Sequence, residues 1–276
     1  MKLKQKNMSR IAIMITSCDA YRECWRPMVY SLDKYWPDCE WPRYVVTNYA
    51  DEDLPNTTII HVGDDHRSWC NLTRMGMQAI DAEYILFFQE DYWLGQKVDN
   101  EAIKRHVTYM DENNVDYLKL QDDIRRDNLR IGETDYCMNP IDRRYAFNTA
   151  VAIWRKACVM QLLPEDWDGW KFEREIMPFV AEHDIKINSQ VLYSSIIEDK
   201  GITYIGHNGG AIVRGVWTSA AVEFLKANGM KEILAKREAM GPVNQWVRKH
   251  SPGRQSIFRW PFWGVLHFLN KYKLNW

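Results

Sequence analysis

Two adjacent carboxylates, Glu90 and Asp91, end the run Tyr84-Ile-Leu-Phe-Phe-Gln89, and their position gives them chemical interest. Tyr84 to Phe88 is aromatic and branched and too short for an ordinary helix, so it reads as a fully buried strand. Ligands of open α/β sheets bind outside the carboxyl ends of strands, so acids placed there face a crevice rather than a core. Hard oxygen ligands of this kind suit Mg2+ or Mn2+ carrying a diphosphate. The plainer reading, and the better one for an isolated Glu-Asp pair, is a strand end capped by solvated acids.

Other residues could join that chemistry. Asp166, Asp168 and Glu173 interleave with Trp167, Trp170 and Phe172 in a stretch, residues 164–173, that reads as a loop. Rings that stack on the apolar face of a sugar, beside a carboxylate able to take a hydroxyl proton, describe a carbohydrate site. An ordinary loop with its tryptophans folded inward has the same composition. His207, in the Gly-rich turn His207-Asn-Gly-Gly210, is a candidate metal or phosphate ligand, although an isolated histidine is more often structural. Ser17-Cys-Asp-Ala-Tyr21 follows the first expected strand, where a base or ribose commonly lies. Asp64 and Asp65 could accept hydrogen bonds from a base or ribose, or Asp65 could cap the next helix.

The elements that must position these groups alternate. Strands are expected over residues 11–16, 43–47, 57–62 and 84–88. Between them, Trp25, Met28, Val29, Leu32 and Trp36 share one helical face, and Trp69, Leu72, Gly76, Ala79 and Ile80 another. A third helix turns Ile103, Val107 and Met110 inward. Alternation at this spacing implies an α/β fold with a Rossmann-like, mostly parallel twisted sheet flanked by helices. Further strands are expected at 116–120, 145–154 and 201–205, with a hairpin or irregular excursion over 121–144 and a short helix over 155–163. A helix from about Ser219 should stop at Asn228-Gly229. The expected division is a main domain over residues 1–240 and a basic, aromatic helical tail over 241–276.

Composition narrows the function. With 276 residues and a net charge of −1, the chain lacks the broad basic field of a nucleic-acid binder. Six scattered cysteines without a CxxC pair read as reduced thiols of a cytoplasmic protein. Neither GxGxxG nor GxxxxGK is present, which excludes the ordinary dehydrogenase and NTPase signatures.

Thr16-Ser-Cys-Asp-Ala-Tyr21 with Trp25, Lys34-Tyr-Trp-Pro-Asp-Cys39, Ser68-Trp69, Glu83 to Tyr92, Trp170-Lys-Phe-Glu173 and Arg214-Gly-Val-Trp217 occur in an order and spacing that resembles the GT-A-type, family 2-like glycosyltransferases of bacterial polysaccharide gene clusters. The resemblance covers roughly residues 11 to 220. It implies a nucleotide-sugar donor, expected to be a UDP-sugar, and a glycan or lipid-linked acceptor. Ser17, Asp19, Tyr21, Asp65, Arg74 and Glu90 become the candidate donor-binding residues. Asp91, with His207, becomes the candidate ligand of Mn2+ or Mg2+. Gln89 departs from the family pattern, standing where a strict DxD has its first Asp. A downstream carboxylate acts as base in inverting members, and Glu173 falls at that place, with Asp168 second. The rival expectation is a non-catalytic carbohydrate-binding module on the same fold.

The end of the chain reads differently. Phe262, Val265, Leu266 and Leu269 form one apolar helical face flanked by Trp260, Trp263, Arg259, Lys271 and Lys273. Such a segment suits peripheral contact with the inner face of a membrane, or packing on protein.

Overall fold

The computed structural model describes residues 9–63, 68–121, 129–139, 146–193, 197–205 and 210–241. Asp65, His207 and the tail from residue 242 onward lie outside the described residues, as do Asp64 and the segments 122–128 and 140–145. The chain divides into two compact units, Met1–Gly210 and Ala211–Trp276.

The first unit is built on an eight-stranded sheet. Strands β1 (Ser9–Thr16), β2 (Arg43–Thr47), β3 (Thr57–His61) and β4 (Ala82–Gln89) are mutually parallel, and the helices α1 (Trp25–Tyr35) and α2 (Trp69–Ala79) connect them. After α3 (Asn100–Glu112) come β5 (Tyr117–Lys119), β6 (Tyr136–Met138) and β7 (Ala152–Arg155). Then follow α4 (Lys156–Val159), α5 (Gly169–Glu182), β8 (Ser189–Leu192) and α6 (Ile197–Lys200). The strand order is β3-β2-β1-β4-β7-β5-β8-β6, with β7 antiparallel to both its neighbours and β6 antiparallel to β8. The expected mostly parallel, Rossmann-like sheet flanked by helices is therefore the one observed.

This order places a switch point at the centre. The chain steps outward from β1 to β3 and then crosses back to lay β4 on the other side of β1. Right-handed crossovers put α1 and α2 on opposite faces of the sheet. β1 and β4 are covered on both sides, which is why Ile11 to Ile15 and Tyr84 to Phe88 are apolar without alternation and all buried. One face carries a core in which Phe87, Tyr117, Phe147, Trp154 and Phe172 meet Leu72, Met77, Ile176 and Val180 of α2 and α5. A Cβ on Gly76 would lie 2.6 Å from both methyls of Val46, so the glycine sets how closely α2 approaches β2.

Several expectations are corrected. The strand expected over 145–154 shortens to β7, because residues 146–151 bend away from the ladder and are held by side chains, Asn139 donating to the Ala146 carbonyl at 2.7 Å. Residues 164–173 are not all loop: the Asp168 carboxylate accepts the Lys171 N–H at 2.7 Å and starts α5, which carries Trp170, Phe172 and Glu173. α2 is capped by Ser68, whose hydroxyl accepts the Asn71 N–H at 3.2 Å, rather than by Asp65. Ala79 faces solvent rather than the apolar side of α2. Residues 201–205 make one isolated bridge, Leu94 to Tyr204, instead of a strand. In the second unit, β9 (Ile212–Val213) and β10 (Val216–Trp217) form a small antiparallel pair. α7 (Ser219–Ala227) ends before Gly229, which has the positive φ of 75° that the sequence anticipates. All six cysteines are free thiols. No helix among the described residues is long and apolar enough to cross a membrane.

One buried group on α3 makes the unit sensitive to acid. His106 is enclosed, its Nε2–H donating to the Lys200 carbonyl at 2.7 Å while Nδ1 accepts from the Tyr136 hydroxyl at 3.0 Å. Burial, which outweighs the Lys200 carbonyl's pull in the other direction, depresses its pKa to about 4. The folded state thus holds fewer protons than the unfolded state between the ordinary histidine value and about 4. The resulting stability is complete above pH 6.5 and lost as pH falls towards 4, roughly 3 kcal/mol in all. Denaturant midpoints at pH 7.5 and pH 4.5 should therefore differ by less in His106→Gln than in the wild type. Equal differences in the two proteins would remove His106 as the cause.

Candidate active site

The carboxyl ends of β1 and β4 are neighbours, Thr16 pairing with Gln89, so the turns that follow them lie side by side at one edge of the sheet. After β4 the chain turns at once: the Tyr92 N–H donates to the Gln89 carbonyl at 3.2 Å and the Trp93 indole to the Glu90 carbonyl at 3.1 Å. Glu90 is buried and Asp91 half-buried in this turn. Gly210 packs against Asp91 so closely that a Cβ there would lie 2.6 Å from Oδ2 and 2.7 Å from the main-chain oxygen. Its φ of +61° also favours glycine.

Glu173, on the second turn of α5, neighbours Tyr92 of the turn after β4. It is 9% exposed, and its Oε1 accepts both the Thr149 N–H at 2.9 Å and the Thr149 hydroxyl at 2.8 Å. Tyr92 connects this pair to Asp91. Burial pushes the ionisation of its phenol well above the ordinary range, and the neighbouring Tyr204, Asp91 and Glu173 push it further, against an opposing pull from the Thr149 side chain. Its ring stacks on Tyr204, with centroids 4.5 Å apart and 19° between planes. A protonated phenol thus stands with Asp91 and Glu173 as its charged neighbours.

The remaining candidates fall into two groups. Ser17 and Asp19 lie at the end of β1 as expected, already engaged by protein. The Ser17 hydroxyl accepts the Trp25 indole N–H at 2.7 Å. Asp19 Oδ1 accepts from the Thr47 hydroxyl at 2.8 Å, the Ala50 N–H at 2.9 Å and the Tyr49 N–H at 3.0 Å. Partial burial opposes the charge on Asp19, but these bonds outweigh it and hold the carboxyl below its usual range. Tyr21 is half-buried in a 3-10 turn that starts at Asp19.

The second group supports the turn before α5. Arg74 donates to the Leu163 carbonyl at 3.2 Å and to Glu165 at 3.1 Å. Asp168 caps α5. Sequence reasoning gave no role to Tyr92, Thr149, Tyr204 or Gly210. Tyr92 could have been found by its adjacency to Asp91, whereas Thr149 carries no signal because its partner is 24 residues away.

A divalent cation fits the donor set as a shared ligand rather than as a caged one. Among the described residues no group of three or more His, Cys, Asp or Glu side chains could hold a metal by itself. Mg2+ and Mn2+ bound with a nucleotide take one or two protein carboxylates and complete their shell with phosphate oxygens and water. The fixed Asp91 carboxylate, beside Glu90, is of that kind.

No protein-family model matches the sequence, and no curated protein matches it. Among solved structures, the chain is similar to residues 1–349 of S. aureus TarS at 14% identity and a TM-score of 0.47, covering 92% of this chain and 77% of that one. The same TarS fragment in complex with UDP matches at 13% identity and a TM-score of 0.45, over 70% of this chain and 59% of that one. The chain spans about half, 47%, of the longer TarS structure. An active-site mutant of LgtC matches at 10% identity and a TM-score of 0.42, over 84% of this chain and 98% of that one. With every score below 0.5, these stand as similarities alone.

Proposed function

We propose that this chain is a glycosyltransferase that moves a sugar from a nucleoside diphosphate to an acceptor hydroxyl with inversion. The observation that carries the reading is that Asp91 and Glu173 both neighbour Tyr92, just beyond the end of β4, with Thr149 bonded to Glu173. Neither carboxylate is near the other in sequence, and each arrives from a different element.

In this reading Asp91, with Glu90 beside it, holds the donor diphosphate through Mn2+ or Mg2+, which would supply charge stabilisation to the leaving phosphate. Glu173 takes the proton of the acceptor hydroxyl as that oxygen forms its bond to the sugar's anomeric carbon. The bond from that carbon to the diphosphate breaks on the opposite side, and the nucleoside diphosphate leaves with the electron pair. Tyr92, kept protonated, borders both carboxylates without adding a charge. The acceptor is a glycan or a lipid-linked glycan, and the segment 254–276 is the candidate foothold on a membrane surface.

Thermal unfolding with a panel of nucleoside diphosphates and their sugars, with and without Mn2+, tests the reading. One UDP ligand at about 100 times its Kd should raise Tm by roughly 5 °C or more, and only with the metal present. A carbohydrate-binding module would instead be stabilised by free glycans and ignore nucleotide and metal alike, and that outcome would retire the enzyme.

A further inference from the structure

We propose that Thr149 is a positioning residue that fixes which oxygen of Glu173 meets the acceptor, an inference that rests on the reading of Glu173 as the base. A glutamate on the second turn of a helix has three side-chain torsions and two equivalent oxygens, so its identity alone does not aim it. Here both donors of one residue, the Thr149 N–H at 2.9 Å and the hydroxyl at 2.8 Å, converge on Oε1. Among the described residues Oε2 accepts no hydrogen bond, although the side chain is nine-tenths buried. A carboxylate bound in this way has one oxygen committed to the scaffold and one left to take a proton.

The donor comes from the segment that leads into β7 rather than from the helix that bears the acid. Val151 and Ala152 are in register with the carboxyl ends of β5 and β4, through the Leu120 N–H to Val151 carbonyl bond at 3.1 Å and the Phe87 to Ala152 pairing. Thr149 therefore sits just beyond the end of the ladder, beside the turn that carries Asp91. The Ala150 N–H donates to Asn148 Oδ1 at 3.2 Å, which shapes the segment around it. Through Thr149 the base is referenced to the same strands that hold the donor site, so the spacing between the two does not depend on the setting of α5 alone. The Thr149 hydroxyl also neighbours Tyr92, so two groups of the site, Glu173 and Tyr92, meet at a single side chain.

Substitution separates the two donors. Thr149→Val keeps shape and the backbone N–H but removes the hydroxyl, while Thr149→Ser keeps both. With one donor lost, Oε1 is held by the Thr149 N–H alone and the Glu173 carboxylate should lose its fixed orientation. Carboxyl 13C spectra, with the Glu173 signal assigned by its absence in Glu173→Gln, read this without any substrate. In parallel, UDP release from UDP-glucose, UDP-galactose and UDP-N-acetylglucosamine, with water as acceptor, reads turnover.

The expected result, at one fixed pH, is a displaced and broadened Glu173 carboxyl 13C signal in Thr149→Val, restored in Thr149→Ser. For any UDP-sugar that turns over, kcat should fall about 10-fold with KM for the donor unchanged. A Glu173 signal identical to the wild type in Thr149→Val would overturn the proposal, whatever the turnover. If the signal moved while Glu173→Gln still released UDP at the wild-type rate, the tether would be real but the base reading wrong, and the positioning role would fall with it.

Discussion

Asp91→Asn is expected to lower turnover at least 100-fold and to abolish the metal-dependent part of the UDP-induced rise in Tm. The change is isosteric, so the asparagine fits the space that Gly210 and the Gln89 to Trp93 turn leave around the side chain. Tm of the unliganded protein should therefore stay within about 2 °C of the wild type, since nothing buried is removed. A neutral amide is a poor ligand for Mg2+ or Mn2+ compared with a carboxylate, and stabilising charge on the leaving group is commonly the largest catalytic term. Wild-type turnover together with a wild-type metal response in Asp91→Asn would move the donor site elsewhere.

Glu173→Gln should lower kcat by about 100- to 10,000-fold while leaving UDP affinity nearly unchanged. The glutamine amide oxygen can accept the two Thr149 bonds that Oε1 accepts now, so the fold keeps its contacts and loses only the proton acceptor. Asp168→Asn is the control, because asparagine caps a helix about as well as aspartate. It should be near wild type in both activity and Tm. Near-normal turnover in Glu173→Gln with an inactive Asp168→Asn would transfer the base to Asp168.

The buried strands were legible because their sequences leave no other choice. Ile11 to Ile15 and Tyr84 to Phe88 are too apolar to be exposed and too short to be helices, and their positions fixed where Asp91 would emerge. β8 was not legible: Ser189 and Gln190 are polar, and their burial depends on partners that periodicity does not report, such as the Tyr109 hydroxyl, which donates to Gln190 at 2.9 Å. The start of α5 was hidden by its aromatic and acidic composition, although Phe172, Ile176 and Val180 recur at helical spacing and Asp168 is a good cap. At the site, the two acids stood out by type and position. The residues that aim them, Thr149 and Gly210, did not, because a hydroxyl or a missing Cβ acquires meaning only from what lies opposite.

The Asp19 carboxylate, stitched to the Thr47 hydroxyl and to the main chain of Tyr49 and Ala50, has a consequence for the speed of recognition. It joins the segment after β1 to the segment after β2 before any ligand arrives, and the Ser17 N–H to Val46 carbonyl bond at 3.0 Å repeats the tie. The entropy of ordering this rim is lost once, during folding, and not again at each encounter. A ligand that binds at this rim would find its floor standing. Association there should be set by diffusion and orientation rather than by waiting for this rim to settle, and differences in affinity among ligands should appear mainly in how fast they leave.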